Sequence, residues 1–241
     1  MMTTDRIIAL FSSIAALPTA GAALWNIVEM KRQRADTYRP ELIITEKTFI
    51  SKCGYITPVW QKYHEGEIIK ENSTHPGISL CNIGLGAAKN IKASWSFPTE
   101  ELIKLIKNEA KKNRRDVSFI DDIITGAMII EPEGEKPFAA MKTKFFSQSI
   151  DYIIPSSNQS DHIILKLPVI YTCLTSLLPR IAVGYEAMKE GLIPDLKLKL
   201  EYYDIANSKH SSSFTLQLEY VQMDINGKEF TASLKPKIDV L

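Results

Sequence analysis

Leu196-Lys197-Leu198-Lys199-Leu200-Glu201-Tyr202 alternates an apolar residue with a charged one along its whole length. Successive side chains of a strand point to opposite faces, so this period of two gives one apolar face and one wet face. Phe214-Thr215-Leu216-Gln217-Leu218-Glu219-Tyr220-Val221 repeats the pattern. Asn226-Gly227, the strongest short hairpin turn, then leads into Glu229-Phe230-Thr231-Ala232-Ser233-Leu234. Upstream, Gly77–Ile83 alternates in the same way, and a Gly84-Leu85-Gly86 turn separates it from Ile91–Phe97. In that segment Ile91, Ala93, Trp95 and Phe97 face the core, while Lys92, Ser94 and Ser96 face water. Glu41–Thr45, the strand-rich stretch Phe138–Ile154 and the short His162–Leu167 add further strands. Alternating strands, turn chemistry between them and few helices predict an antiparallel sandwich.

Other segments are less regular. Pro98-Thr99 opens a helix, with Thr99 as N-cap, Glu100 and Glu101 at the positive end, and Leu102, Ile103, Ile106 and Ala110 as an apolar stripe. Its other face carries Lys104, Lys107, Lys111, Lys112, Arg114 and Arg115. A solvated face accounts for these charges, and attraction to anionic headgroups is the alternative. Residues 46–76, with Phe49, Tyr55, Trp60 and Tyr63, read as irregular. Val117–Ile130 has no decisive period, and Pro132-Glu133-Gly134-Glu135 reads as a turn. Val169–Tyr185 is apolar but interrupted by Pro179, which predicts a short helix or a buried loop.

The N-terminus asks for a different solvent. Ile7 to Val28 is a run of 22 residues without a charge. As a helix it would be ~33 Å long, enough for a hydrocarbon core of ~30 Å. Ala16, Ala20 and Gly21 are small enough for close helix contact, and Trp25 lies where an indole suits the headgroup layer. Lys31, Arg32 and Arg34 follow the run, against Arg6 and Asp5 before it. Positive charge stays inside, which predicts a single-pass inner-membrane protein with its C-terminal domain in the cytoplasm. The competitor is a cleaved signal peptide, with Ile7–Leu17 as apolar region, Pro18 as breaker and Ala20-Gly21-Ala22 as cleavage site; the body would then be periplasmic or secreted. Apolar character resumes at Leu24, Trp25, Ile27 and Val28 before the basic cluster, which favours an uncleaved anchor.

The expected organisation is an anchor over 7–30, a basic juxtamembrane linker over 31–40, and a β-sandwich over 41–241 with a helical insertion around 99–115. The 241-residue chain has a net charge of +1. Residues 1–39 hold five basic and three acidic residues; taking these from totals of 29 and 28 leaves 24 and 25 in the body. A near-neutral body carries no electrostatic footprint for nucleic acid. Cys53, Cys81 and Cys173 are far apart and odd in number, which suits a reducing compartment better than a disulfide framework.

Asn82-Ile83-Gly84-Leu85-Gly86-Ala87-Ala88-Lys89-Asn90 resembles the N-x-G-x-G-x-A-x-N signature of immunoglobulin-like (Ig-like) β-sandwich modules in bacterial proteins, including the adhesion-related CARDB type. The single span, the basic collar and Tyr38-Arg39-Pro40-Glu41-Leu42 are similar to uncharacterised bacterial single-pass membrane proteins with such a body. Leu196–Ile205 is similar to their penultimate strand. The resemblance implies a mainly β fold: an N-terminal transmembrane helix, then an elaborated Ig-like antiparallel β-sandwich with a few short helices and insertions within 98–190. It implies no activity. On the residues alone, Gly84 and Gly86 would permit positive φ in a tight connection, and Asn82 and Asn90 would tie down turn backbone.

Motifs for chemistry fail on spacing. Gly84-Leu85-Gly86-Ala87-Ala88-Lys89 lacks the third glycine of a dinucleotide site and precedes a strand, not a helix. His64, His75, His162 and His210 have no ligand-like spacing and read as ordinary surface or loop residues. Asp121-Asp122 diverge in either secondary structure. No serine elbow is present, and the sequence offers no histidine paired with a cysteine nucleophile. The expectation is a membrane-anchored interaction or scaffold module. It would have no catalytic, cofactor or metal residues and no small-molecule substrate, and its partners would be the lipid bilayer and another protein or itself. An exported ligand-binding domain and a tethered hydrolase with its site in 98–190 are the alternatives.

Overall fold

The computed structural model describes residues 4–52, 60–64, 67–68, 76–133, 137–156, 162–181, 191–223 and 229–237; the side chains of 4–17, 35, 51–52, 60–68, 223 and 229 are not considered. The chain opens with helix α1 (Thr4–Thr37), 34 residues that continue without a break past Pro18 and through the basic collar. Strands β1 (Leu42–Ile44), β2 (Lys47–Lys52), β3 (Trp60–His64), β4 (Glu67–Ile68), β5 (Gly77–Asn82) and β6 (Ala88–Ser96) follow. Helix α2 (Thr99–Lys112) leads to β7 (Val117–Asp122), β8 (Ala127–Pro132), β9 (Phe138–Met141), β10 (Ser147–Ile153) and β11 (Ile163–Lys166). Helix α3 (Val169–Ile181) precedes β12 (Leu196–Tyr203), β13 (Lys209–Met223) and β14 (Glu229–Pro236).

Among the described residues all strand pairs are antiparallel, and the body is mainly β. A small sheet, β1-β5-β11, shares one core with a large sheet, β10-β6-β12-β13-β14-β2-β3-β4. Alternation explains how. β12 buries Leu196, Leu198, Leu200 and Tyr202 and leaves Lys197 and Lys199 in water; β6 buries Ile91, Ala93 and Trp95. From the facing sheet, Leu42, Ile44, Ile78, Leu80 and Leu165 enter the same core. Each such aliphatic side chain contributes roughly 1.5–3 kcal/mol on burial.

A third sheet, the meander β7-β8-β9, and helix α2 form the insertion between β6 and β10. The helix buries Leu102, Ile103, Ile106 and Ala110 and packs on α3. Its N-cap is Pro98 and no side chain caps it; Thr99, the expected cap, is the first helical residue. Helix α3 is buried along Ile170–Pro179. Pro179 has no N–H to give the carbonyl four residues back, and Tyr220 supplies the donor instead, its hydroxyl bonding Thr175 O at 2.5 Å.

Two ambiguous regions resolve as strand. Within 46–76, expected to be irregular, β2 pairs with β14 in the register Ala232↔Phe49. Phe49 and Ile50 are neighbours and both buried, which breaks the alternation that reveals a half-buried strand. Val117–Ile130 is the β7–β8 hairpin; Asp122 and Gly126 shape its turn, but Ile123 and Ile124, 94% and 95% exposed, sit at the tip and continue the apolar run that hides it. The Asn226-Gly227 turn and Cys53 lie outside the described residues, but β13 and β14 pair as that hairpin requires, down to Met223↔Phe230.

Among the described residues, no helix is long and apolar enough to cross a membrane. For α1 the described side chains begin at Pro18, so they include Glu29, Lys31, Arg32 and Arg34 but not the apolar half of the run. Leu24, Trp25, Ile27, Val28 and Met30 are 46% to 72% exposed, and between Pro18 and Arg34 only Glu29 is half-buried.

Candidate functional site

The most built polar feature lies where α1 delivers the chain to the sandwich. The helix closes with Tyr38 N–H on Arg34 O at 2.9 Å, and Pro40 is already buried. Asn82, the last residue of β5, is wholly buried there. Its Oδ1 accepts from Glu41 N–H and Gly84 N–H, both at 3.1 Å. Its Nδ2 donates to Gly86 O at 2.7 Å and to Ile153 O at 3.4 Å. One amide thereby ties together the entering chain, the 83–87 loop and the end of β10. Ile83 N–H to Glu41 O at 2.8 Å and Ser156 N–H to Asn82 O at 2.8 Å tighten the same knot.

The two glycines serve this knot for a reason other than the expected one. Neither Gly84 nor Gly86 has a positive φ; among glycines only Gly126 and Gly191 do in the described residues. A Cβ on Gly84 would lie 2.4 Å from Arg39 O and Glu41 N, and one on Gly86 would lie 1.7 Å from Tyr38 O. The loop presses its bare backbone onto residues 38–41, and any side chain would block that approach. Asn90 also differs from expectation. It sits within β6 at φ 51°, where Lys89 and Lys92 oppose Tyr203 and Glu201, so β6 holds one extra residue. Asn tolerates this left-handed position and marks a bulge, not a turn tie.

A second group braces the knot from the neighbouring hairpin. Tyr202 donates its hydroxyl to Pro40 O at 3.4 Å and stacks on His210, ring centroids 5.5 Å apart. His210 Nε2 lies 3.0 Å from Asp204 Oδ2, and Asp204 Oδ1 accepts from Ser208 N–H at 2.8 Å. Burial alone would raise the Asp204 carboxyl; the His210 hydrogen bond and the Ser208 amide outweigh it and hold it below the ordinary range. His210 is therefore no ordinary loop histidine. Its partner lies six residues away across a strand-to-strand turn, a spacing that hairpin geometry could have suggested.

Elsewhere, Cys81 Sγ and His162 Nδ1 approach to 3.5 Å, a pair 81 residues apart that sequence spacing could not reveal. Burial pushes the thiol up, with Lys47 partly opposing, so the sulfur stays protonated at neutral pH, unlike an activated nucleophile. Within the insertion, a groove of about 570 Å³ is lined by Leu105, Asn108, Glu109, Lys111, Lys112 and Leu192. Its buried carboxylate, Glu109, is held by Lys112 at 2.5 Å. The basic face of α2 is partly spent on structure: Lys107 sits 5.5 Å over Phe119, and Arg115 donates to Arg180 O at 2.6 Å. No group of three or more His, Cys, Asp or Glu placed to hold a metal occurs among the described residues.

Trp25, Lys31, Arg32 and Arg34, the expected interfacial and orienting residues, are all exposed on α1. They lie on the helix that leads into the Asn82 knot, whereas Asn90 stands apart from it in β6. Comparison with protein-family models, curated proteins and solved structures finds no match to this chain.

Proposed function

We propose that this chain is a single-pass membrane protein whose α1 anchors it and whose body, on the Lys31-Arg32-Arg34 side, is a cytoplasmic interaction module without catalytic activity of its own. The carrying observation is the single helix Thr4–Thr37, about 51 Å at 1.5 Å per residue. It includes the whole uncharged run, presents exposed apolar side chains, and runs into a fixed knot. Helix–helix contact through Ala16, Ala20 and Gly21, or a second protein on the body, would supply the partner.

The body itself we read as an elaborated Ig-like sandwich. The small sheet has the order β1-β5-β11, and the large one includes β10-β6-β12-β13. In that reading these are strands A-B-E and C′-C-F-G, and Trp95 is the buried tryptophan of strand C. The α2–β9 segment is then an insertion between C and C′.

Carbonate washing of vesicles tests the anchor: the intact chain stays with the lipid, and its release overturns the reading. A mature chain beginning at Ala23, found by mass spectrometry, would establish the exported alternative instead. Reversing Lys31, Arg32 and Arg34 to glutamate moves a C-terminal reporter to the opposite side if these residues set the orientation.

A further inference from the structure

We infer, on the strength of the anchor reading above, that the end of the sandwich around the α1 exit is a membrane-seating face that rests in the headgroup layer. Three separate loops leave the sheets at this end: 83–87 after β5, 154–156 after β10, and 204–208 after β12. The register places them together, since Ile153 pairs with Ala88 and Tyr203 with Lys89. Loops are ordinarily polar, yet these expose Ile83 (52%), Leu85 (64%), Ile154 (48%) and Ile205 (61%), beside Tyr38 (52%) at the helix exit. The opposite end of β6 and β10, where Ser94 pairs with Ser147, leads away through 142–146 to the α2 and β7–β9 insertion.

The occupant follows from where this face is held. A chain anchored by α1 must turn this end, and no other, toward the bilayer. From Val28, the end of the uncharged run, to Tyr38 is ten residues, or about 15 Å of helix. The headgroup layer takes up about 5–7 Å of that, leaving roughly 8–10 Å beneath an upright body. The Asn82 knot leaves no slack to close the gap by bending. Tilt closes it: at about 30°, inside the range for membrane helices, a point about 15 Å from the helix axis drops by roughly 8 Å. The seated form is therefore a tilted one, with the apolar loops on the low side and Arg39, exposed at the exit, facing the headgroups.

The test uses the full chain in nanodiscs with a photoreactive benzophenone side chain at Leu85, at Ile205 or, as control, at Ile124 on the hairpin tip of the insertion. Lipid adducts by mass spectrometry at positions 85 and 205, and none at 124, are the expected result. Absence of lipid adducts at 85 and 205 in chains that resist carbonate extraction overturns the seating and leaves the anchor standing. Protein–protein adducts there overturn it in favour of a second copy or another chain. Release by carbonate overturns both readings together.

Discussion

Replacing Asn82 by alanine removes, in one step, the acceptor for Glu41 N–H and Gly84 N–H and the donor for Gly86 O. The 3.4 Å bond to Ile153 O is long enough to add little. Gly86 is buried, so its carbonyl loses a partner that water cannot replace, at about 1–3 kcal/mol. Glu41 is exposed and Gly84 half-buried, so their amides recover some solvation and each costs about 0.5–1.5 kcal/mol. The sum is roughly 2–6 kcal/mol, large for one residue. Urea unfolding of the full chain in mild detergent, followed by tryptophan fluorescence to which Trp95 in the core contributes, reads it out. With a slope of about 2 kcal/mol per M, the midpoint falls by roughly 1–3 M. Asn82→Asp keeps the size and one acceptor but sets an anionic oxygen against Gly86 O, so it destabilises by a similar amount. A loss below about 1 kcal/mol for alanine, or wild-type stability for aspartate, refutes the amide's role in tying Glu41, Gly84 and Gly86 together.

Gly86→Ala costs about 2–3 kcal/mol because its Cβ lands on Tyr38 O, whereas Gly126→Ala, strained at φ 65° but in open space, costs about 1 kcal/mol; unfolding midpoints give the order. Asp204 is held below the ordinary carboxylate value, so its stabilisation is complete above about pH 4 and is lost as pH falls through the lower folded value. Asp204→Asn therefore lowers stability at neutral pH and flattens the acid limb of a stability-against-pH curve; an unchanged limb refutes the link. Burial pushes the Cys173 thiol up to about 12, and Cys81 is raised too, so iodoacetamide at pH 8 modifies neither at the rate of an exposed thiol until the chain unfolds, as peptide mass spectrometry will show. Tyr220→Phe removes the hydroxyl that replaces the missing Pro179 N–H, costs about 1–2 kcal/mol, and speeds hydrogen exchange in the last turn of α3.

The parts of the fold that could be read in advance are those where one face is wet. β6, β12 and β13 alternate because Lys92, Lys197 and Lys199 must reach water while Trp95, Leu198 and Leu216 must not. β2 hides because Phe49 and Ile50 are both buried, and β8 because Ala127, Met128 and Ile130 bury an almost unbroken apolar run. At the knot, the residue types were visible and their reasons were not. Gly84 and Gly86 suggested a strained turn, yet what demands glycine is the backbone of residues 38–41, which only the folded chain brings near. Cys81 and His162 meet because β11 lies beside β5, a pairing that no local spacing encodes.

The knot also decides what kind of tether α1 can be. The last helical residue is Thr37, and Glu41 N–H is already bonded to Asn82, so three residues separate helix from sandwich. Within those three, Gly86 presses on Tyr38 O, and Pro40 is buried with its carbonyl 3.4 Å from the Tyr202 hydroxyl. A Gly/Ser linker in this place would let the body sample every orientation. Here, helix direction and body direction are coupled, so in the anchored form proposed above a change in tilt becomes a rotation of the distal β7–β8 hairpin, with its exposed Ile123 and Ile124. For the interaction module proposed above, such a hold would present its surface at a fixed height and angle and reduce the orientational search for a partner in the same membrane. Inserting a flexible Gly-Ser segment between Thr37 and Tyr38 should therefore leave the body folded and the chain anchored while abolishing any preferred angle between them, measurable as a broadened spin–spin distance from α1 to Ile124. A distribution as narrow as that of the parent chain would mean that contacts other than the knot fix the angle.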